Sequence, residues 1–174
     1  DEAIFNGNIS GTSMPTIRFY DWHLPTASFG YNQIWSKELD LDLIQECGFE
    51  YVRRPTGGRL VVHYDELTYA VVAPAVAQLA GNVTQSYSEI SKALQMGFHD
   101  LGLKVDLEKG DLTSQHQREE KNPCFTSSSR YELKYGKRKI VGSAQVRKKN
   151  VLLQHLCTNM YISSSNSNII CHQK

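Results

Sequence analysis

The sequence lacks the ligand spacings of a metal-binding domain and the long apolar run of a membrane-spanning helix. It has four cysteines but no Cys-x-x-Cys pair, and its six histidines include no His-x-x-x-His pair, although zinc sites commonly show such spacings. No apolar run approaches the roughly 20 residues that cross a bilayer, and no basic and apolar leader is present. These absences predict a cytoplasmic protein with no metal site and no membrane partner.

An excess of charge of one sign is also lacking. Lys and Arg number 19 and Asp and Glu number 18, which leaves a net charge of +1. Proteins that bind nucleic acid through bulk charge are usually far from neutral, so we expect no nucleic-acid partner. A chain of 174 residues can bury a core large enough to need no disulfide or metal. We therefore expect reduced thiols in a single monomeric domain.

What the sequence does contain is a succession of strand-like and helix-like segments. Residues 16–22 and 49–73 favour strands, and residues 130–155 predict three strands joined by tight turns. Residues 82–103 place apolar side chains at helical spacing, with Thr84 as a candidate cap. Strands before and after one long helix predict an α/β or α+β domain, with a mixed sheet flanked by helices.

Two further helices are predicted near the amino terminus. Residues 1–8 are typical of the end of a helix. Residues 36–48 place leucines and isoleucine at roughly helical spacing, with Ser36 as a candidate N-cap and Gly48 as a candidate stop.

The final segment differs in composition from the rest. Residues 156–174 are rich in Ser and Asn and show no apolar period, which predicts a poorly structured tail. We accordingly divide the chain into one domain, 1–155, and an atypical tail, 156–174. A tail of this composition gains little burial, so Leu152 and Leu153, in the strand before it, are expected to expose apolar surface.

The segment "RRPTGGR", 53–59, is the first candidate binding element. Paired glycines after a strand let a backbone approach a ligand without a Cβ clash. Arg53, Arg54 and Arg59 are placed to grip a phosphate or carboxylate. The alternative is a β-hairpin turn with solvated arginines.

Cys124 and Lys139 are the candidate catalytic groups. A loop thiol with hydroxyl and basic neighbours can be reactive, because nearby positive charge stabilises the thiolate. Lys139 lies among apolar strand residues, where its ammonium group could hold a carbonyl oxygen or lower the pKa of a thiol. The alternatives are a buried structural cysteine and an outward-pointing lysine. His63 is a candidate base or a structural histidine.

Three motifs occur together in a fixed order: "RRPTGGRLVVHYDELTY", "NPCF" and "GKRKIVGSAQVR". With "DEAIF", "IRFYDW" and "SFGYNQ", they resemble the cofactor-transferase family of lipoate–protein ligases, octanoyltransferases and, more distantly, biotin–protein ligases. The resemblance covers roughly residues 1–155. It is greatest to the octanoyltransferases of the cysteine-in-loop type, because the ligases usually carry a serine and a further glycine at "TGGR" and lack the loop cysteine.

The resemblance implies a fold, an activity and a set of site residues. The fold would be the catalytic domain of that family, incomplete at both ends in this chain. Cys124 would attack an octanoyl thioester of acyl-carrier protein, assisted by Lys139, and the acyl group would pass to a lysine of a lipoyl carrier domain. Such a domain is the glycine cleavage H protein or the E2 subunit of a 2-oxoacid dehydrogenase. The implied acyl-site residues are Arg54, Thr56, Gly57, Gly58, Arg59, His63, Gly142, Ser143 and Ala144.

The implied reaction needs no cofactor, because the thioester already stores the free energy for transfer. Two alternatives remain open. One is an ATP-dependent lipoate–protein ligase, in which Arg53, Arg54 and Lys139 contact an adenylate. The other is a truncated relative that binds an acyl group or a carrier protein without turnover.

Overall fold

The computed structural model describes residues 1–35, 40–109, 131–158, 160–162 and 169–171. These residues contain three α-helices and eleven strands. The helices are α1 (Glu2–Ser10), α2 (Leu41–Glu46) and α3 (Val83–Asp100), with a short 3-10 turn at Ala77–Leu79. The strands are β1 (Thr16–Tyr20), β2 (Thr26–Phe29), β3 (Glu50–Arg53), β4 (Val61–His63), β5 (Thr68–Pro74), β6 (Val105–Lys109), β7 (Tyr131–Tyr135), β8 (Arg138–Lys148), β9 (Val151–Thr158), β10 (Met160–Ile162) and β11 (Ile169–Cys171).

The strands form one large sheet and two small ones. The large sheet has the order β1-β5-β9-β8-β7-β6 and is antiparallel throughout. In the three-stranded sheet β2 pairs parallel with β3 and antiparallel with β4, while β10 and β11 form a separate antiparallel pair. The predicted α+β class with flanking helices is confirmed, and the mixed pairing lies in the three-stranded sheet.

The Gly-Gly segment between β3 and β4 is not a hairpin turn. Both strands pair with β2 and lie on opposite sides of it, so the segment crosses over β2 instead of reversing along a neighbour. The hairpin interpretation of residues 53–59 is therefore wrong. The crossover places the glycines at one end of the small sheet.

Two apolar clusters cover the two faces of the large sheet. We call the cluster under α3 the α3 core; it contains Ile90, Leu133, Ile140, Val141 and Leu152 among others. The α1 core lies on the opposite face and contains Phe5, Ala70, Val72, Val151 and Leu153. Side chains alternate between the faces of a strand, so neighbouring residues of β5 and β9 enter different cores.

Helix ends follow the expected chemistry but use other residues than those predicted. Asn82, not Thr84, caps α3: its side chain accepts the Gln85 N–H at 3.0 Å, and the Gln85 side chain accepts the Asn82 N–H at 2.8 Å. This reciprocal capping box satisfies two amide groups that the helix leaves unpaired. The described part of α2 begins after Asp40, whose carboxylate caps it, and Ser36 lies outside the described residues.

The prediction that Leu152 and Leu153 expose apolar surface is wrong. Both are fully buried, because β9 is paired with β5 on one edge and β8 on the other, and each leucine enters a core. β9 continues through the predicted boundary to Thr158, and β10 pairs with β11. The prediction of an unstructured tail therefore fails for these residues.

We predict that truncating either leucine destabilises the fold strongly. Leu152→Ala and Leu153→Ala each leave a cavity in a different core, so each should lower the free energy of unfolding by about 2–5 kcal/mol. Val62→Ala, at a half-exposed position, is the control and should cost far less. Urea denaturation measures the free energy of unfolding of all three variants. If Leu153→Ala costs no more than Val62→Ala, Leu153 is not buried in the α1 core.

Candidate active site

A cavity of about 470 Å³ lies between the small β3-β2-β4 sheet and the α1 face of the large sheet. Eight of the sequence-predicted site residues border it, although they come from two segments far apart in the chain. They are Arg54, Gly58, Arg59, His63, Lys139, Gly142, Ser143 and Ala144. The fold thus brings the "RRPTGGR" and "GKRKIVGSA" motifs to opposite walls of one cavity.

The guanidinium group of Arg54 organises the glycine segment. It is buried and donates to the carbonyl oxygens of Ser28 (2.7 Å), Gly57 (3.1 Å) and Arg59 (2.6 Å). A buried charged donor is costly unless it is hydrogen-bonded, so these three carbonyls hold the segment against β2. Arg53 is exposed to solvent, and its Nη1 also donates to the main-chain carbonyls of Gly30, Tyr31 and Gln33.

The glycines allow a close contact between two backbones. A Cβ on Gly30 would lie 1.9 Å from the carbonyl oxygen of Gly58, so no larger residue fits there. Gly58 itself has φ +100°, a conformation that glycine adopts without strain. The contact explains glycine at positions 30 and 58, whereas a Cβ on Gly57 would meet nothing within 4 Å. The sequence interpretation missed Gly30, and the approach of the glycine pair to a ligand stays a prediction.

A β-bulge directs Lys139 toward the cavity. The β7–β8 register shifts between Leu133↔Val141 and Lys134↔Lys139. Ile140 and Val141, although consecutive, both pack in the α3 core. The bulge thus shifts by one residue the alternation of side chains between the two faces of the sheet. As a result the Lys139 side chain lies on the cavity side. There its Nζ lies 3.1 Å from Glu132 Oε1, and both side chains are buried.

Neighbouring residues of β8 form the rest of this wall. Gly142 pairs with Cys157 and Ala144 pairs with His155, so these four residues share the cavity face. Ser143 borders the cavity, but strand alternation points its side chain to the other face.

Thr56 and Gly57 support the cavity and are not part of its lining. Thr56 is fully buried, with Oγ1 hydrogen-bonded to His155 Nε2 at 2.5 Å. The Gly57 carbonyl is one of the three acceptors of Arg54. Both residues hold groups that do reach the cavity.

His155 is a site residue that the sequence interpretation missed. Burial, with the positive charge of Arg54 and the nearby His63, lowers the pKa of its imidazole to about 3. His155 is therefore a neutral side chain at physiological pH. Strand alternation could have identified it, because His155 lies two residues after the buried Leu153 and therefore on the same face of β9.

His63 lies in a polar cluster at the other side of the cavity. Its Nδ1 is 2.5 Å from Glu66 Oε1, and its ring stacks on Trp22 with centroids 4.2 Å apart. Tyr20 lies near Trp22, and burial raises the pKa of its hydroxyl to about 12. Glu66, Trp22 and Tyr20 were not identified from the sequence.

The other predicted catalytic group, Cys124, lies outside the described residues, so its placement beside Lys139 stays a prediction. Cys47 and Cys157, the cysteines with described side chains, are not in disulfides. Among the described residues no helix combines the length and apolarity that a bilayer crossing requires.

Comparison with known proteins identifies the class. The chain belongs to the family of lipoyl protein ligase A/B catalytic domains, whose model matches residues 1–172. It is 45% identical over 157 residues to octanoyltransferase LipM of Symbiobacterium thermophilum, covering 89% of this chain and 57% of that protein. The chain therefore spans little more than half of this relative's length. The expected family resemblance is confirmed.

Solved structures of lipoate–protein ligases share the fold. Lipoate-protein ligase A bound with ATP matches with a TM-score of 0.70 at 28% identity, covering 91% of this chain and 58% of that one. A bi-partite lipoate protein ligase of Thermoplasma acidophilum, studied with its E2 lipoyl domain, matches with a TM-score of 0.66 at 28% identity, covering 91% and 53%.

We predict that His155 makes stability depend on pH. Unfolded His155 binds a proton below its ordinary pKa of 6.5, whereas folded His155 binds one only near its pKa of about 3. Between these values proton binding favours the unfolded state. The free energy of unfolding should therefore decrease as the pH is lowered, by up to about 1.4 kcal/mol per pH unit. His155→Gln should reduce this slope in denaturant titrations at pH 4 to 7.

The exposed His23→Gln controls for the loss of a histidine. An identical slope in wild type and His155→Gln would show that this imidazole is not held neutral by the fold.

Proposed function

We propose that this chain carries the acyl-transfer site of an octanoyltransferase that acts in protein lipoylation. The observation that carries the proposal is the cavity in which Lys139, the glycine segment and the "GSA" strand meet. Sequence identity of 45% to a curated octanoyltransferase supports the same activity. The proposed donor is octanoyl-acyl-carrier protein, and the proposed acceptor is a lysine of a lipoyl carrier domain.

The size and lining of the cavity suit a medium-length acyl chain. Small-molecule sites are usually concavities of about 300–1,000 Å³ with mostly apolar walls and few polar groups. Val52, Pro55, Val61 and Ala144 contribute apolar surface here. The absence of side chains at Gly58 and Gly142 leaves room beside the backbone. We place the octanoyl chain along this wall, with its carbonyl toward Lys139.

In the first step the Cys124 thiolate attacks the thioester carbonyl carbon of the donor. The carbon–sulfur bond to the carrier breaks, and the carrier thiolate leaves and takes a proton, so one thioester replaces another. Lys139 Nζ donates to the carbonyl oxygen as negative charge develops there. Its ion pair with Glu132 fixes the ammonium group in the cavity wall, so little reorganisation accompanies the reaction.

In the second step the neutral ε-amine of the acceptor lysine attacks the acyl-Cys124 carbonyl. The bond to Cys124 breaks, the thiolate is regenerated, and the amine loses a proton to give the amide. Formation of an amide from a thioester is downhill, so neither ATP nor a metal is required. That the acceptor is a lipoyl domain is supported by the related ligase studied with its E2 lipoyl domain.

An ATP-dependent lipoate–protein ligase is the second candidate, because a related structure is a ligase bound with ATP. In that case Arg53 and Arg54 would contact an adenylate. Both guanidinium groups instead donate to several main-chain carbonyls of their own chain. All three guanidinium nitrogens of Arg54 take part in these contacts. This group could contact an adenylate only if some of them broke, so we favour acyl transfer.

Intact-mass spectrometry tests the proposed acyl-enzyme directly. Incubation with octanoyl-acyl-carrier protein, without ATP, should add one octanoyl group to the wild-type chain and none to Cys124→Ser. Acylation from free octanoate only when ATP is added would support the ligase instead. Binding of the carrier without any mass shift would support a non-catalytic relative.

We predict that Lys139→Arg slows acyl-Cys124 formation by about tenfold or more, which corresponds to roughly 1.4 kcal/mol of barrier. The substitution keeps the positive charge but changes donor geometry and bulk. Lys148→Arg is the matched control, since Lys148 lies at the exposed end of the same strand, β8. Equal rates in both variants would remove Lys139 from the mechanism.

A further inference from the structure

Three side chains of different chemistry meet at one end of the cavity. One ligand atom each from His63, Glu66 and Cys157 lies within 4.8 Å of the other two. His63 and Cys157 are buried, and the Glu66 side chain is only 9% exposed. The proposed acyl transfer assigns no role to Glu66 or Cys157.

Strand pairing fixes the backbone positions of two of these groups. His63 ends β4 and pairs with Thr26 of β2, while Cys157 pairs with Thr68 on one edge and Gly142 on the other. Glu66 lies in the short connection between β4 and β5. Strand pairing therefore places two of the three ligands, and the third lies in a connection that a strand anchors at each end.

We propose that His63, Glu66 and Cys157 bind one divalent cation of the zinc class. Zn²⁺ takes imidazole nitrogen, carboxylate oxygen and thiolate sulfur, and three protein ligands leave a fourth position for water or another small ligand. Ca²⁺ and Mg²⁺ require oxygen-rich sites, so this mixed set selects against them. The thiolate and the carboxylate together balance the charge of the cation.

Neighbouring contacts hold two of the three ligands in place. Thr68 Oγ1 donates to Glu66 Oε1 at 3.2 Å, and Trp22 Nε1 donates to Thr68 Oγ1 at 2.8 Å. The Trp22 ring stacks on His63 at 4.2 Å and restricts rotation of the imidazole. Such outer contacts orient metal ligands and raise affinity.

Binding requires a small rearrangement and the loss of one proton. Ligand atoms around a tetrahedral zinc ion are separated by about 3.5 Å, from its bond lengths of about 2.0–2.3 Å. His63 Nδ1 and Glu66 Oε1, now 2.5 Å apart, therefore separate, and their hydrogen bond gives way. The imidazole proton moves from Nδ1 to Nε2, so that Nδ1 can bind the cation. The Cys157 thiol releases its proton to solvent.

The three residues do not form any of the short ligand motifs used to recognise zinc sites in a sequence. For this reason the sequence analysis predicted no metal site. Two ligands are three residues apart, but the third comes from the far end of the domain. Since His63 and Cys157 also border the cavity, a bound cation would occupy space next to the proposed acyl chain.

Cobalt titration of the purified, metal-free chain tests the proposal. Co²⁺ should bind with one equivalent and produce the near-ultraviolet absorption of a cobalt–thiolate bond, and Zn²⁺ should displace it. Cys157→Ser should abolish this band, and Glu66→Gln should weaken Co²⁺ binding by about tenfold or more. Cys47→Ser, at an exposed position, is the matched control and should leave the band unchanged.

A second variant keeps the test independent of folding defects. In a chain with Cys47, Cys124 and Cys171 replaced by Ser, Cys157 is the only thiol left, and the band should persist. Zn²⁺ should also raise the melting temperature of this chain, because the folded state alone holds the site. A band that survives Cys157→Ser, or disappears in the triple variant, overturns the assignment. Because neither readout uses octanoyl-carrier protein, the result does not depend on acyl transfer.

Discussion

The pairing of β9 along both of its edges is the constraint on which the rest of the structure depends. With β5 on one side and β8 on the other, the strand cannot shift its register without exposing a core. Its alternation sends Leu152 to the α3 core, Leu153 to the α1 core, and His155 and Cys157 to the cavity. One strand therefore sets both cores and one wall of the site.

The polar interior is tolerated because several of its buried side chains find partners inside the protein. Gln154, fully buried, donates to the Tyr69 hydroxyl at 3.0 Å and accepts from Gln145 at 2.8 Å. Arg54 is satisfied by carbonyls, and Thr56 is hydrogen-bonded to His155. Groups that are already satisfied do not collapse into the cavity, so it keeps its shape without a ligand.

Sequence reasoning predicted the elements better than their contacts. Period-2 and period-3.6 patterns located α3 and the β7–β9 meander, and the motifs located Arg54, Gly58 and Lys139 in the cavity wall. Patterns of this kind carry no information on long-range pairing. They therefore missed that β2 separates β3 from β4, that β9 runs past His155, that His155 faces the cavity, and that Glu66 contacts His63.

The bulge at Ile140 makes the number of residues in β8 as important as their chemistry. Because every side chain before the bulge is rotated by one position relative to those after it, a one-residue insertion or deletion near Ile140 would exchange the faces of Lys139 and its neighbour. Homologous chains should therefore keep the residue count between Gly136 and Gly142 constant. An alignment gap there would signal a site that has lost its lysine, even where a lysine is still encoded.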